Sequence, residues 1–167
     1  MAEVVHTYRD ESNERDLFVL ALEKPEDFPE QLALGSPRFA CLIAWDAKSA
    51  DATSVNQLAG KLLRAGAVYV CTWGPDCHRV HNAIAQYQMD PPPTQPAGRI
   101  ALTTAQPGEP IGEAIWHVLY CSMPDDAFAQ DCGSTLGITI GSQAWAAEMR
   151  AAFTDPIAFS LRLTHPQ

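Results

Sequence analysis

The residues best equipped for chemistry lie between Cys71 and His81, in the segment CTWGPDCHRVH, which holds two cysteines and two histidines. Cys77 and His81 are spaced i, i+4, so on a helix they share one side a single turn apart. If Gly74 caps that helix and Pro75 opens it, Cys77 falls in the first turn. Free N–H groups and the helix dipole favour a thiolate there. A thiol beside an imidazole is the arrangement of a nucleophilic cysteine and its base, with Asp46 or Asp125 as a supporting carboxylate. The same spacing has a packing explanation. Val80, Ala83, Ile84 and Tyr87 recur as a core-facing stripe, and Cys77 lies beside it as a small apolar residue, with His81 at the edge of the core.

A second i, i+4 pair, His117 and Cys121, repeats the spacing on a later helix. Four such ligands would complete a Cys₂His₂ tetrahedron if the two helices met on one face. No CxxC knuckle accompanies them, so chance spacing is the expectation and no metal or other cofactor is assigned. WGPDC resembles the WCGPC redox turn of thioredoxins, but the first cysteine is missing. Cys71 does not lead a CxxxxxR phosphatase loop either, because Cys77 stands where the arginine would be.

The elements that must position these residues are readable as alternating runs. Leu17–Leu22 is a short apolar strand. It is followed by a Pro-containing link that is marginal for a full crossover, so it is expected at a sheet edge, antiparallel to its neighbour. Phe39–Trp45 is continuously apolar, as in a strand covered on both faces. Thr53 or Ser54 can cap a helix through Ala65 that stops at Gly66. Ala67–Thr72 is the next strand, and Arg99–Thr104 a third. Between them, residues 90–98 (DPPPTQPAG) read as a stiff polyproline-like connection. Pro110 opens a helix to about Met123, Thr135–Ile140 is a strand weakened by Gly137, and Ser142 caps a helix over 143–153. The final residues alternate weakly, like a strand.

This order predicts an α/β fold: one small doubly wound domain, flavodoxin-like or Rossmann-like, with a mostly parallel sheet of about five strands over residues 17–167. Residues 1–16 read as an acidic, loosely docked arm. In such a sheet, ligands bind beyond the carboxyl ends of the strands. That rule selects Asp46, Trp73, Gly74, Thr104 and Ser142 as candidate site residues. No GxxxxGK[ST] or GxGxxG accompanies them.

The chain has 167 residues and a formal net charge of −9, with nine acidic and three basic residues in the first thirty. Eleven scattered Lys and Arg do not make a phosphate-binding surface, which argues against nucleic acid. No apolar run approaches the roughly 18 residues of a membrane span. A polar, acidic start and an odd number of cysteines (five) fit a cytoplasmic protein with reduced thiols. An acidic surface also suits a basic partner.

The segments CTWGPDCHRVH and EAIWHVLYCSMPDD are similar to segments of small uncharacterised bacterial α/β proteins. The resemblance spans roughly Phe39 to Phe153. Its recurring elements are Trp73, Gly74, Pro75, Cys77, Val80, His81, Trp116, Pro124, Asp125 and Asp126. It implies the α/β fold and attaches no activity to any of them.

One helix carries more apolar surface than a single buried face needs. Ile111, Ala114, Ile115, Val118 and Leu119 make one stripe, and Trp116, Tyr120 and Met123 a second. Either the arm or the tail covers the second stripe, or it marks an interface with a second copy or another protein. Two functions are therefore expected from the sequence. The first is a non-catalytic module that engages a protein partner. The alternative is a small hydrolase or transferase using Cys77, His81 and Asp46.

Overall fold

A computed structural model describes residues 2–89 and 101–164. Among these, six strands form one sheet: β1 (Val5–Asp10), β2 (Arg15–Leu22), β3 (Arg38–Trp45), β4 (Ala67–Trp73), β5 (Leu102–Gln106) and β6 (Cys132–Ile140). Five helices accompany them: α1 (Ala52–Ala65), α2 (Cys77–Met89), α3 (Ile111–Tyr120), α4 (Gln143–Thr154) and α5 (Pro156–Thr164). The strand order is β1-β2-β6-β3-β4-β5, parallel throughout except for β1 against β2. No described helix is long and apolar enough to cross a membrane.

The helices divide between the two faces. One face packs Val55, Leu58 and Leu62 of α1 and Val80 and Ile84 of α2 onto the sheet. The other packs Ile111, Ile115, Val118 and Leu119 of α3 with Met149 and Phe153 of α4. The chain steps outward from β3 to β4 to β5 with its helices on the first face. It then returns past both strands to β6 with α3 on the second. Reversing direction exchanges the face, as a single crossover handedness demands. This topology sends the chain from β4 to one face and from its neighbour β5 to the other, which opens a crevice between their carboxyl ends.

Several expectations need correction. The sixth strand comes from the arm, whose residues 5–10 pair antiparallel with β2. The run beginning at Leu17 is therefore not an edge: β2 lies between β1 and β6 and is parallel to β6. Its link to β3, residues 23–37, does make a crossover, by burying Phe28 and Leu34 against the first face. Asp51 caps α1 in place of Thr53 or Ser54, its carboxylate accepting the Ser54 N–H at 2.7 Å. The third regular strand starts later than expected, at Leu102. The proline-rich reading of residues 90–98 lies outside the described residues. The tail is a helix, not a strand, because Asp155 accepts the Ala158 N–H at 3.0 Å and Pro156 stands at the first helical position.

Gly137 has a packing role in β6. A Cβ there would meet Met149 Sδ at 2.7 Å and the Phe153 ring at 3.0 Å, so the missing side chain lets α4 close on the sheet. Gly137→Val should therefore destabilise the fold by about 2 kcal/mol through overpacking. Urea denaturation tests this; an unchanged midpoint would show that α4 is not seated on Gly137.

Candidate functional site

The turn joining β4 to α2 is assembled by close backbone approach. Gly74 has φ +114° and lies against the Trp45 carbonyl, so a Cβ at this position would run into that oxygen. Asp76 is also left-handed, at φ +61°, a conformation Asp tolerates better than most residues. The Cys77 N–H donates to the Gly74 carbonyl at 3.1 Å and the Arg79 N–H to the Asp76 carbonyl at 3.0 Å. Those bonds occupy first-turn donors that an anion would otherwise use.

Neighbouring loops are tied to this turn. The Ala47 N–H donates to the Pro75 carbonyl at 3.0 Å, and Arg79 Nη1 donates to the Ala47 carbonyl at 2.6 Å. The buried Thr72 hydroxyl reaches the Cys77 and Thr104 carbonyls, at 3.1 and 3.3 Å. Trp73 Nε1 donates to the Glu109 carbonyl at 2.7 Å and holds the β5–α3 loop. The Trp73 ring meets Trp145 of α4 edge to face at 4.9 Å, a contact worth about 1 kcal/mol beyond its area.

Between Trp73–His78 and Pro107–Glu109 these contacts leave an open cleft of about 510 Å³. Its rim carries exposed Asp76, His78 and Glu109. Asp76 is only loosely engaged, 3.9 Å from Arg79.

The predicted site residues are distributed unevenly around this cleft. Trp73 and Gly74 line it. Cys77 borders it but is only 2% exposed, and no hydrogen bond joins it to His81. His81 instead turns its Nδ1 to the Thr103 hydroxyl, 3.1 Å away, and clamps α2 to β5. Asp46 is exposed and accepts the Lys48 N–H at 3.1 Å, so it braces its own turn. Ser142 caps α4 by accepting the Trp145 N–H at 3.2 Å. The Thr104 hydroxyl is buried on the second face, beside the Tyr69 and Cys71 side chains.

Cys77 and His81 belong to α2 on the first face, while His117 and the C-cap residue Cys121 belong with α3 on the second. The sheet separates the pairs, and the tetrahedron cannot close. His117 instead shares a 2.7 Å hydrogen bond with the Tyr69 hydroxyl. Of the second α3 stripe, Tyr120 donates to the Pro156 carbonyl at 3.1 Å and Trp116 packs against Tyr120 at 5.6 Å, so the tail helix approaches it. Met123 remains exposed.

Burial sets the titration of the groups around β4. The Cys71 thiol is pushed up to about 12. The Tyr69 phenol is raised by the same cause. His117 is held below the ordinary histidine value by burial, with the Glu109 carboxylate pulling weakly the other way. His81 is lowered by burial and by His78. Sequence reasoning missed His78 and the Pro107–Glu109 rim, although a Pro-Gly pair directly after a strand marks a turn at the binding edge.

Residues 17–156, most of the chain, match the profile of a domain of unknown function, DUF7684. No curated protein matches the chain.

Two measurements test this site. Cys121 is the exposed cysteine and the other four are buried. Native alkylation followed by peptide mapping should label Cys121 first and leave Cys77 protected until denaturation. Rapid labelling of Cys77 would restore it as a nucleophile. The second concerns pH. His81 and His117 have folded values lowered below the usual 6.5. The native state therefore holds fewer protons, and stability present above about pH 6.5 is lost as pH falls through the folded values. The urea midpoint should decline from about pH 7 to about pH 5, less steeply in His117→Gln. NMR titration placing His117 at or above the ordinary value would contradict its burial.

Proposed function

The chain belongs to the DUF7684 family, and we propose that it is a non-catalytic binding module that engages a basic segment of a protein partner at the β4–β5 cleft. The observation that carries this is the cleft itself: an open space beside Trp73, rimmed by the exposed carboxylates of Asp76 and Glu109. An aromatic floor with an acidic rim suits the stem and head of Arg or Lys, through stacking and charge-assisted hydrogen bonds. The overall charge of −9 adds long-range attraction for such a partner.

The fold reading that accompanies this is a small doubly wound, flavodoxin-like domain. Its support is the exchange of crossover face at β5 and the crevice where neighbouring strands send their chains to opposite sides. The cysteine chemistry has no comparable support, because Cys77 is buried and His81 is engaged by Thr103.

The test is fluorescence anisotropy with labelled Arg-rich and Glu-rich peptides at low and moderate salt. Arg-rich peptides should bind saturably and lose affinity as salt rises, and the Asp76→Lys/Glu109→Lys double variant should weaken them roughly tenfold, about 1.4 kcal/mol. Far-UV circular dichroism should show that the variant folds. Equal binding by the double variant would remove the cleft from the interface.

A further inference from the structure

The two outer edges of the sheet are built in opposite ways. β1 is protected against foreign strands. Its register with β2 is broken between His6 and Tyr8, and it carries His6, Arg9 and Asp10. Arg9 and His6 are held by Asp16 of β2, at 3.2 and 3.0 Å. Charges and bulges of this kind keep an edge from pairing.

β5 has none of these devices. Its sequence, Leu-Thr-Thr-Ala-Gln, has no charge and no proline, and it pairs with β4 in unbroken register. Among the described residues, no hydrogen bond involves the outer backbone edge of Leu102–Gln106. Thr is a strong strand former, and Leu102 is 40% exposed. An edge of this composition is a template for another extended backbone.

Position supplies the second argument. β5 runs directly into Pro107, Gly108 and Glu109, which form one wall of the cleft. A segment laid along the outer edge of β5 therefore arrives at the Pro107–Glu109 wall, and a few further residues that cross this wall reach the Asp76–Glu109 rim. We infer that the β5 edge and the cleft form one continuous surface that takes an extended segment of the partner protein. The segment adds as a strand beside β5 and delivers basic side chains to Asp76 and Glu109. This inference rests on the reading of the cleft as the partner site and names how the partner is held: ladder hydrogen bonds along β5 supply affinity, and the acidic rim supplies the choice of side chain. At about 3.3 Å per residue, five residues cover the strand and two or three more reach across the rim, a segment of about eight.

The test uses two labelled peptides of about ten residues, each with Arg-Lys-Arg at one end, amino or carboxyl, and alternating Val and Thr over the rest. Each is made unmodified and with backbone N-methylation at alternate residues in either of two registers. A strand bonds its neighbour through every second residue. One methylation register should therefore abolish binding by roughly tenfold or more, and the other should leave it nearly intact. Amide hydrogen exchange should slow within Leu102–Gln106 when the unmodified peptide is bound. If both registers bind like the unmodified peptide, or both weaken equally, strand addition is overturned. Sensitivity to Asp76→Lys/Glu109→Lys in that case leaves the cleft standing alone. If neither unmodified peptide binds while the Arg-rich peptides do, the edge is again excluded and the cleft kept. Failure of every peptide overturns both readings.

Discussion

A side chain at position 74 has nowhere to go. Gly74 lies against the Trp45 carbonyl in a left-handed conformation, so the turn after β4 is pressed onto the end of β3. Only glycine satisfies both the dihedral and the contact. From that close approach follow the Pro75–Ala47 and Arg79–Ala47 bonds that join two loops into one platform. Trp73 then reaches the other way, to the Glu109 carbonyl and the Trp145 ring, and draws in the loops after β5 and β6. The cleft is the space left when three carboxyl-edge loops are tied to one glycine turn.

The same turn explains why a chemically rich sequence yields an unreactive constellation. Cys77 stands at the start of α2, but the short Gly-Pro-Asp turn folds that helix start down onto the sheet. The thiol is buried with Val80 and Ile84. His81, one turn on, meets the Thr103 hydroxyl before any solvent-facing group. Both polar groups become struts. The groups left at the surface are the ones a strand-and-helix pattern does not single out: His78, Asp76 and Glu109.

Much of the architecture was legible in the sequence because burial on both faces leaves continuous apolar runs. Phe39–Trp45 and Ala67–Thr72 are such runs, and α1 ended at Gly66 as its left-handed cap requires. The N-terminal strand was not legible: the β1 residues, VHTYRD, are half-exposed at an edge and carry charges that read as a solvated arm. α5 was missed because its apolar residues serve two surfaces. Phe159 and Leu163 face Gly112, while Ile157 and Leu161 are exposed, and the mixture imitates alternation. The packing role of Gly137 was not legible because a glycine in a strand signals weakness or close approach alike, and only the position of Met149 reveals the second.

The pair of i, i+4 motifs shows where spacing stops being informative. Cys77/His81 and His117/Cys121 are equivalent as local patterns, and either could supply half of a site. Their separation is decided far away, by the strand that follows α3. β5 is the last strand in its direction, so the chain must return across β4 and β3 to enter between β3 and β2. A crossover of unchanged hand travelling backwards has to use the opposite face. α3 is thereby placed on the other side of the sheet from α2, and His117 finds Tyr69 instead of His81. Whether two side-chain clusters cooperate is thus a property of strand order, and strand order is set by long-range packing that local periodicity does not encode.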